Sequence, residues 1–198
     1  MVRSTVLYVA PDGLRWAQWV LADEPIILGD LPVAWTVSAR STADGLAEWT
    51  AYFTTGVPPE AVADFLLALE ARPDPAHGYA GPHVVFESLA ERGWVRDIDN
   101  PAAFSDPQLA AGMALSLLPE YLQDGNPLCL DPTAEQTGWL AWCEPRIGRG
   151  YLWTTGFSAS TPHDLVAAFA ASLASPDPVL RHTLPGDSEG QLSLRPTV

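Results

Sequence analysis

Two stretches of the chain change hydrophobic period in the same way. In WTAYF (Trp49 to Phe53) and WTTGF (Trp153 to Phe157), large and small residues alternate, so Trp and Phe share one face of an extended strand. A few residues later the period lengthens. Val62, Phe65, Leu66 and Leu69 fall at helical spacing, and so do Val166, Phe169, Ala170 and Leu173. The signals between strand and helix mark a helix start. Thr161 reads as the N-cap, Pro162 as the opening proline and Asp164 as the acid of the first turn; Pro58, Pro59 and Glu60 serve the earlier copy without a capping hydroxyl. Prolines stop both helices: Pro73 and Pro75, then Pro176 and Pro178.

The two phrases align at a shift of 104 positions, which sets Phe53 on Phe157, Pro58 on Pro162, Phe65 on Phe169 and, upstream, Trp35 on Trp139. Each phrase is preceded by a hairpin pattern. Trp35, Val37 and Ala39 share a face before a turn at Ala43-Asp44-Gly45, and Trp139, Ala141 and Cys143 share one before a turn at 147–150. STVLYVAPDGLRWAQWVLA predicts two further strands in the first unit. HVVFESLAERGW predicts a strand from His83 to near Trp94, and a helix follows over about 105–118, with Ser105 as cap, Pro107 as opener, and Leu109, Met113 and Leu117 on one face.

The expected class is therefore α+β: two tandem repeats of antiparallel strands followed by one C-terminal helix, packed as an intramolecular pseudo-dimer because one helix alone covers only one sheet face. The units are read as residues 1–73 and 84–176, joined by a Pro/Gly-rich linker over 74–83 and followed by a loosely held tail over 177–198.

Strand parity then sorts residues by face. Trp35, Val37, Trp49 and Phe53 belong under the helix. Thr36, Ser38, Arg40, Thr50, Tyr52 and Thr54 belong on the opposite face, with Leu140, Trp142, Glu144, Leu152 and Thr154 as the second unit's counterpart. One-sided burial commonly leaves such a face solvated. A polar, nearly uncharged strip with aromatics and a few arginines also suits stacking of single-stranded nucleic acid; Arg40, Tyr52, Trp142, Arg146 and Arg149 are the residues that would carry it.

Charge pulls the other way. The chain of 198 residues carries 24 acids against ten basic residues, all arginine, for a formal net charge of −14. That balance disfavours broad binding to nucleic acid or anionic lipid and favours an acidic protein-interaction scaffold. Hydrophobic residues at 47% fit a globular chain. No apolar run approaches the ~18 residues of a membrane span, and the N-terminus turns polar too soon for a signal peptide, so a cytoplasmic protein is expected. Cys129 and Cys143 lack metal-ligand spacing and read as reduced, partly buried thiols, a disulfide between them being the alternative.

Candidates for chemistry do not converge. His77, His83, His163 and His182 are scattered, Asp97, Asp99 and Asp106 form a solvated acidic loop, and no nucleophile elbow or phosphate loop is present. The sequence predicts no catalytic residues, metal or cofactor. It predicts a non-enzymatic module that binds DNA, single- or double-stranded, or a DNA-bound partner through the free sheet face. The alternative is a protein-interaction scaffold with no nucleic-acid contact.

Trp-Thr-x-x-Phe, then Pro, then Val-Ala-x-Phe-x-x-x-Leu, together with the Leu89…Gly93-Trp94 step, resembles the actinobacterial family of domains of unknown function numbered 317. The resemblance implies tandem copies, each ending in this phrase. The first unit departs from it, Gly13-Leu-Arg-Trp16 being the nearest match to the Leu-x-x-x-Gly-Trp step. The order of strands then helix is also similar to the Whirly-like fold of single-strand-binding coactivators, a likeness of fold only.

Overall fold

The structure is a computed structural model that describes residues 4–21, 26–117, 137–146 and 148–177. Strands β1 (Ser4–Val9), β2 (Arg15–Leu21), β3 (Ile27–Leu28), β4 (Leu31–Ala39) and β5 (Trp49–Thr54) lead into helix α1 (Pro59–Glu70). Helix α2 (His83–Ala90) follows, then β6 (Val95–Arg96), β7 (Ala103–Ser105), β8 (Ala111–Leu117), β9 (Thr137–Cys143), β10 (Trp153–Phe157) and helix α3 (His163–Leu173). The strands form one sheet in the order β1-β2-β4-β5-β10-β9-β8-β7-β6, with β3 added to β4 and neighbours pairing antiparallel, and with the helices it makes an α+β fold. The expected hairpins β4–β5 and β9–β10 are present, as are α1 and α3, and the two further strands expected upstream are β1 and β2, which pair with each other.

The described helices cover one face. Phe53 and Phe157 rise from the sheet and Phe65 and Phe169 descend from α1 and α3. Their centroids lie 5.7 Å apart for Phe53–Phe65 and 5.2 Å for Phe157–Phe169, and Phe53 meets Phe157 at 5.8 Å. The crossed pairs Phe53–Phe169 and Phe65–Phe157 have nearly equal tilts, 45° and 46°. Edge-on and tilted pairs of this kind add about 0.5–1.5 kcal/mol each beyond burial. Trp49 is fully buried at the edge of this cluster, and its indole N–H donates to the Pro75 carbonyl (2.9 Å), so the start of the Pro/Gly-rich segment is packed.

β5 and β10 join the two halves of the sheet. Phe53 faces Thr155, Tyr52 faces Gly156 and Ala51 faces Phe157. Two hydroxyls staple the ends of this short ladder: the Thr154 amide donates to Thr54 Oγ1 (2.8 Å) and the Thr50 amide to Ser158 Oγ (3.0 Å).

Three expectations are corrected. His83–Ala90 is helix α2, not a strand: Val85 and Leu89, four apart, are both fully buried, so helical spacing outweighs the β-branched Val84-Val85 pair. The helix expected over about 105–118 is replaced, as far as residue 117, by the end of β7, a turn and β8; position 118 lies outside the described residues. Asp106 closes the turn, its carboxylate accepting the Ala110 amide (2.7 Å) and its own amide donating to Ala111 (3.0 Å). Met113 and Leu115 then alternate as a strand requires, with Gly112 between Met113 and Ala111. Finally, Thr161 does not cap α3. Pro162 holds the N-cap position without a side-chain hydrogen bond, and the buried Thr161 hydroxyl lies 3.3 Å from that of Ser158.

Candidate functional site on the helix-free face

The face without described helices is less open than strand parity alone implies. Thr36, Ser38, Thr54 and Thr154 are buried. A register shift between Val33 and Trp35 sets Val33 beside Thr54 and Trp35 beside Phe53, so the two point to opposite faces despite being two apart. Val33 joins Leu28, Tyr52 and Leu140 in a small second cluster. The β3–β4 turn lies over this region, where Thr154 Oγ1 donates to the Leu28 carbonyl (2.7 Å). Gly29 (φ 57°) permits the approach, since a Cβ there would meet the Thr154 methyl at 2.8 Å. Ser38 and Thr50 pair hydroxyl to hydroxyl at 2.9 Å.

The five residues predicted to bind ligand do not form one site. Arg40 is structural. Its Nε–H donates to the Gly13 carbonyl (2.9 Å), another N–H donates to Gly45 (3.0 Å), and the guanidinium lies 5.2 Å over the Trp16 ring. It ties the β1–β2 turn to the β4–β5 turn. Tyr52 belongs to the second cluster, mid-strand. Trp142, Arg146 and Arg149 come together at the opposite end of the sheet from Arg40, because β5 and β10 run antiparallel and their hairpin turns point apart. The six residues of β5 alone put those ends roughly 17 Å apart.

Around Trp142 there is a definite hollow of about 170 Å³, lined by Leu28, Leu140, Trp142, Tyr151 and Thr154. The Trp142 ring lies against Gly112, whose missing side chain makes the room. Arg146 and Arg149 lie in the turn joining β9 to β10, between Trp142 and Tyr151 in the chain. That turn is shaped by the Gly148 amide donating to Glu144 Oε1 (2.6 Å) and by left-handed Gly148 and Gly150. Both arginines are exposed and make no ion pair among the described residues. Tyr151 was not singled out from the sequence; its place directly after the Gly-Arg-Gly turn was the available signal. Along the described strands the helix-free face carries no charged residue; Arg40 and Glu144 stand just past strand ends.

The remaining polar groups hold structure together. His77 lies 3.1 Å from Glu48 and 3.2 Å from Asp74 on the surface. The His163 ring nitrogen Nδ1 is 3.0 Å from the Ala80 carbonyl, and its edge meets Trp139. The Asp97 carboxylate accepts the amides of Asp99 and Asn100, folding its own loop. Burial, with a smaller contribution from the Asp106 carboxylate, pushes the Cys143 thiol up to about 11. Cys129 and His182 lie outside the described residues. Among the described residues, no group of three or more His, Cys, Asp or Glu side chains is placed to hold a metal ion, and no helix is long and apolar enough to cross a membrane.

Comparison with known proteins fits the repeated strand–helix pair. The SPDY domain, a domain of unknown function (DUF317), matches residues 9–76 and again 123–179. The first segment ends just past α1 and the second just past α3, each including its strand–helix phrase. No curated protein and no solved structure matches the chain. The two matched segments cover more than half of the sequence, and the chain belongs to the SPDY (DUF317) family.

Proposed function

We propose that the chain is a non-enzymatic, protein-binding module built as an intramolecular pseudo-dimer. The pseudo-dimer reading rests on the junction. Under the 104-residue shift Tyr52 becomes Gly156, so the β5–β10 register maps onto itself, Phe53–Thr155 exchanging with Ala51–Phe157. The two staples exchange as well, Thr154 on Thr54 for Thr50 on Ser158, and so do the pairs of the phenylalanine cluster. A local dyad perpendicular to the sheet relates the halves, as in a closed two-fold dimer.

The observation that carries the protein-binding reading is the uncharged, partly aromatic character of the helix-free face in a chain of net charge −14. Depletion of charge with retained aromatics is the signature of an interface core, whereas phosphate recognition needs basic groups in number. Two of the Arg40 donors are engaged by the Gly13 and Gly45 carbonyls, which hold the guanidinium between two turns. A second reading, single-stranded nucleic acid at the Trp142–Tyr151 hollow, is supported by the exposed Arg146 and Arg149 in the turn that joins those two residues along the chain.

One pair of experiments separates the two. A photo-crosslinker at position 151 in cell extract is expected to give a protein adduct that survives nuclease treatment and is lost in Trp142→Ala. Fluorescence anisotropy with labelled single-stranded and duplex oligonucleotides is expected to show no micromolar binding at low salt. Salt-sensitive binding abolished by Arg146→Glu with Arg149→Glu would overturn the protein reading in favour of the second, and its slope of about −0.7 per contacted phosphate would count the contacts.

A further inference from the structure

On the helix side of the sheet the two halves are finished differently. In the second half α2 lies over the outer strands. Its Phe86 sits 5.6 Å from Phe104 and 5.2 Å from Trp139, and Val85 and Leu89 are fully buried. Ladder positions identify the matching floor in the first half. Tyr8 faces Ala17 and Ala17 faces Val37, as Phe104 faces Met113 and Met113 faces Ala141. Among the described residues no helix covers that floor. Tyr8 is 60% exposed where Phe104 is 3% exposed, and Leu67 of α1 is 67% exposed beside it. A groove of about 380 Å³ runs between β1–β2 and α1, floored by Tyr8, Ala17 and Val37 and walled by Leu66 and Leu67.

We propose that this groove docks an amphipathic helix of a partner protein in the place that α2 holds on the other half. The fold itself indicates the shape of the occupant: a short helix presenting an aromatic and two aliphatic side chains at the spacing of Val85, Phe86 and Leu89. Charge indicates its outward face. The rim carries Asp12 and Glu70 against Arg15, on a strongly acidic chain, so a helix basic on its solvent side fits best. Arg15, which lines the groove, has a buried Nε–H without an acceptor, and its other donors are committed to Asp12 and to the Leu69 and Glu70 carbonyls.

The probe is a fluorescent peptide of residues 81–94 (GPHVVFESLAERGW) carrying Glu87→Lys and Glu91→Lys, titrated with the full chain. Saturable binding is expected, weakened about tenfold or more by Leu67→Glu in the protein or by Phe86→Ala in the peptide. Leu67 is a surface residue, so the variant's thermal melting is expected to match wild type, and Tyr8→Ala repeats the test without a new charge. No saturable binding at protein concentrations up to about 1 mM, or binding that both groove variants leave unchanged, overturns the proposal. Light scattering that finds a dimer dissolved by Leu67→Glu would overturn it too, because a second copy would then occupy the groove.

Discussion

The two halves share a centre and differ at their margins. At the centre each contributes a Trp-to-Phe strand and a helix, and the four phenylalanines meet in matching geometry. Toward the edges the correspondence fades. Trp139 is sealed by Phe86 and His163, whereas its counterpart Trp35 is half-buried and stacks on Trp19 at 5.8 Å, with Tyr8 beyond. A duplicated unit must preserve the surface through which it meets its twin, because both copies depend on it. Its outer margin is shared with nothing inside the chain and is free to diverge. On this view the junction carries the constraint common to both halves, and the margins are where the halves differ.

The largest effects test the centre. Phe53→Ala and Phe157→Ala each remove contacts with the other three rings and are expected to cost about 3–5 kcal/mol apiece. In urea unfolding followed by tryptophan fluorescence the two should agree within about 1 kcal/mol, closer than the roughly 2 kcal/mol by which one truncation varies across unrelated core sites. A gap several times larger would break the equivalence of the halves. The next test sharpens the difference at the margins. Trp139→Ala, in a closed site, is expected to cost about 3–5 kcal/mol, and Trp35→Ala, half-buried, roughly half as much by the same measurement.

A smaller pair probes the helix-free face. In each half a tryptophan stands opposite a small residue: Trp16 opposite Ser38, Trp142 opposite Gly112. Gly112→Ala would push its methyl into the Trp142 ring and is expected to cost about 1–3 kcal/mol while shifting tryptophan fluorescence. Ser38→Ala removes only the hydrogen bond to Thr50, at about 1 kcal/mol. The smallest perturbation is chemical. Cys143 stands where the first half has Ala39, and its alkylation rate is expected to keep rising with pH toward about 11 instead of levelling near the ordinary thiol value. A plateau near pH 9 would mean that the site is wetter than its burial implies.

What could be read from the sequence follows the range over which each signal acts. β5–α1 and β10–α3 were legible because alternation gives way to helical spacing within twenty residues, and because the phrase is written twice. α2 was not, since HVVFESLA satisfies β propensity and helical spacing together and only burial of Val85 with Leu89 decides. The Met113–Leu117 spacing likewise serves either period; Gly112 receiving the Trp142 ring favours the strand, and that ring arrives from a different hairpin. Arg40 looked available because nothing local reveals that the Gly13 and Gly45 carbonyls converge on it. The Val33–Trp35 shift similarly hid the second cluster, because one extra residue inverts strand parity without a sequence mark. Of the predicted binding residues, Trp142, Arg146 and Arg149 came together because they share one hairpin. Arg40 did not join them because its turn faces the other way.

The pairing of β5 with β10 also sets a timetable for biosynthesis. Phe53 and Phe65 must wait until Phe157 and Phe169 have been made, 104 residues later. At ordinary translation rates of about 5–20 residues per second that interval is roughly 5–20 s. Throughout it, an aromatic strand end and one side of α1 stand exposed on the ribosome. Nascent chains halted before residue 157 should therefore engage chaperones, and release should coincide with emergence of the second phrase.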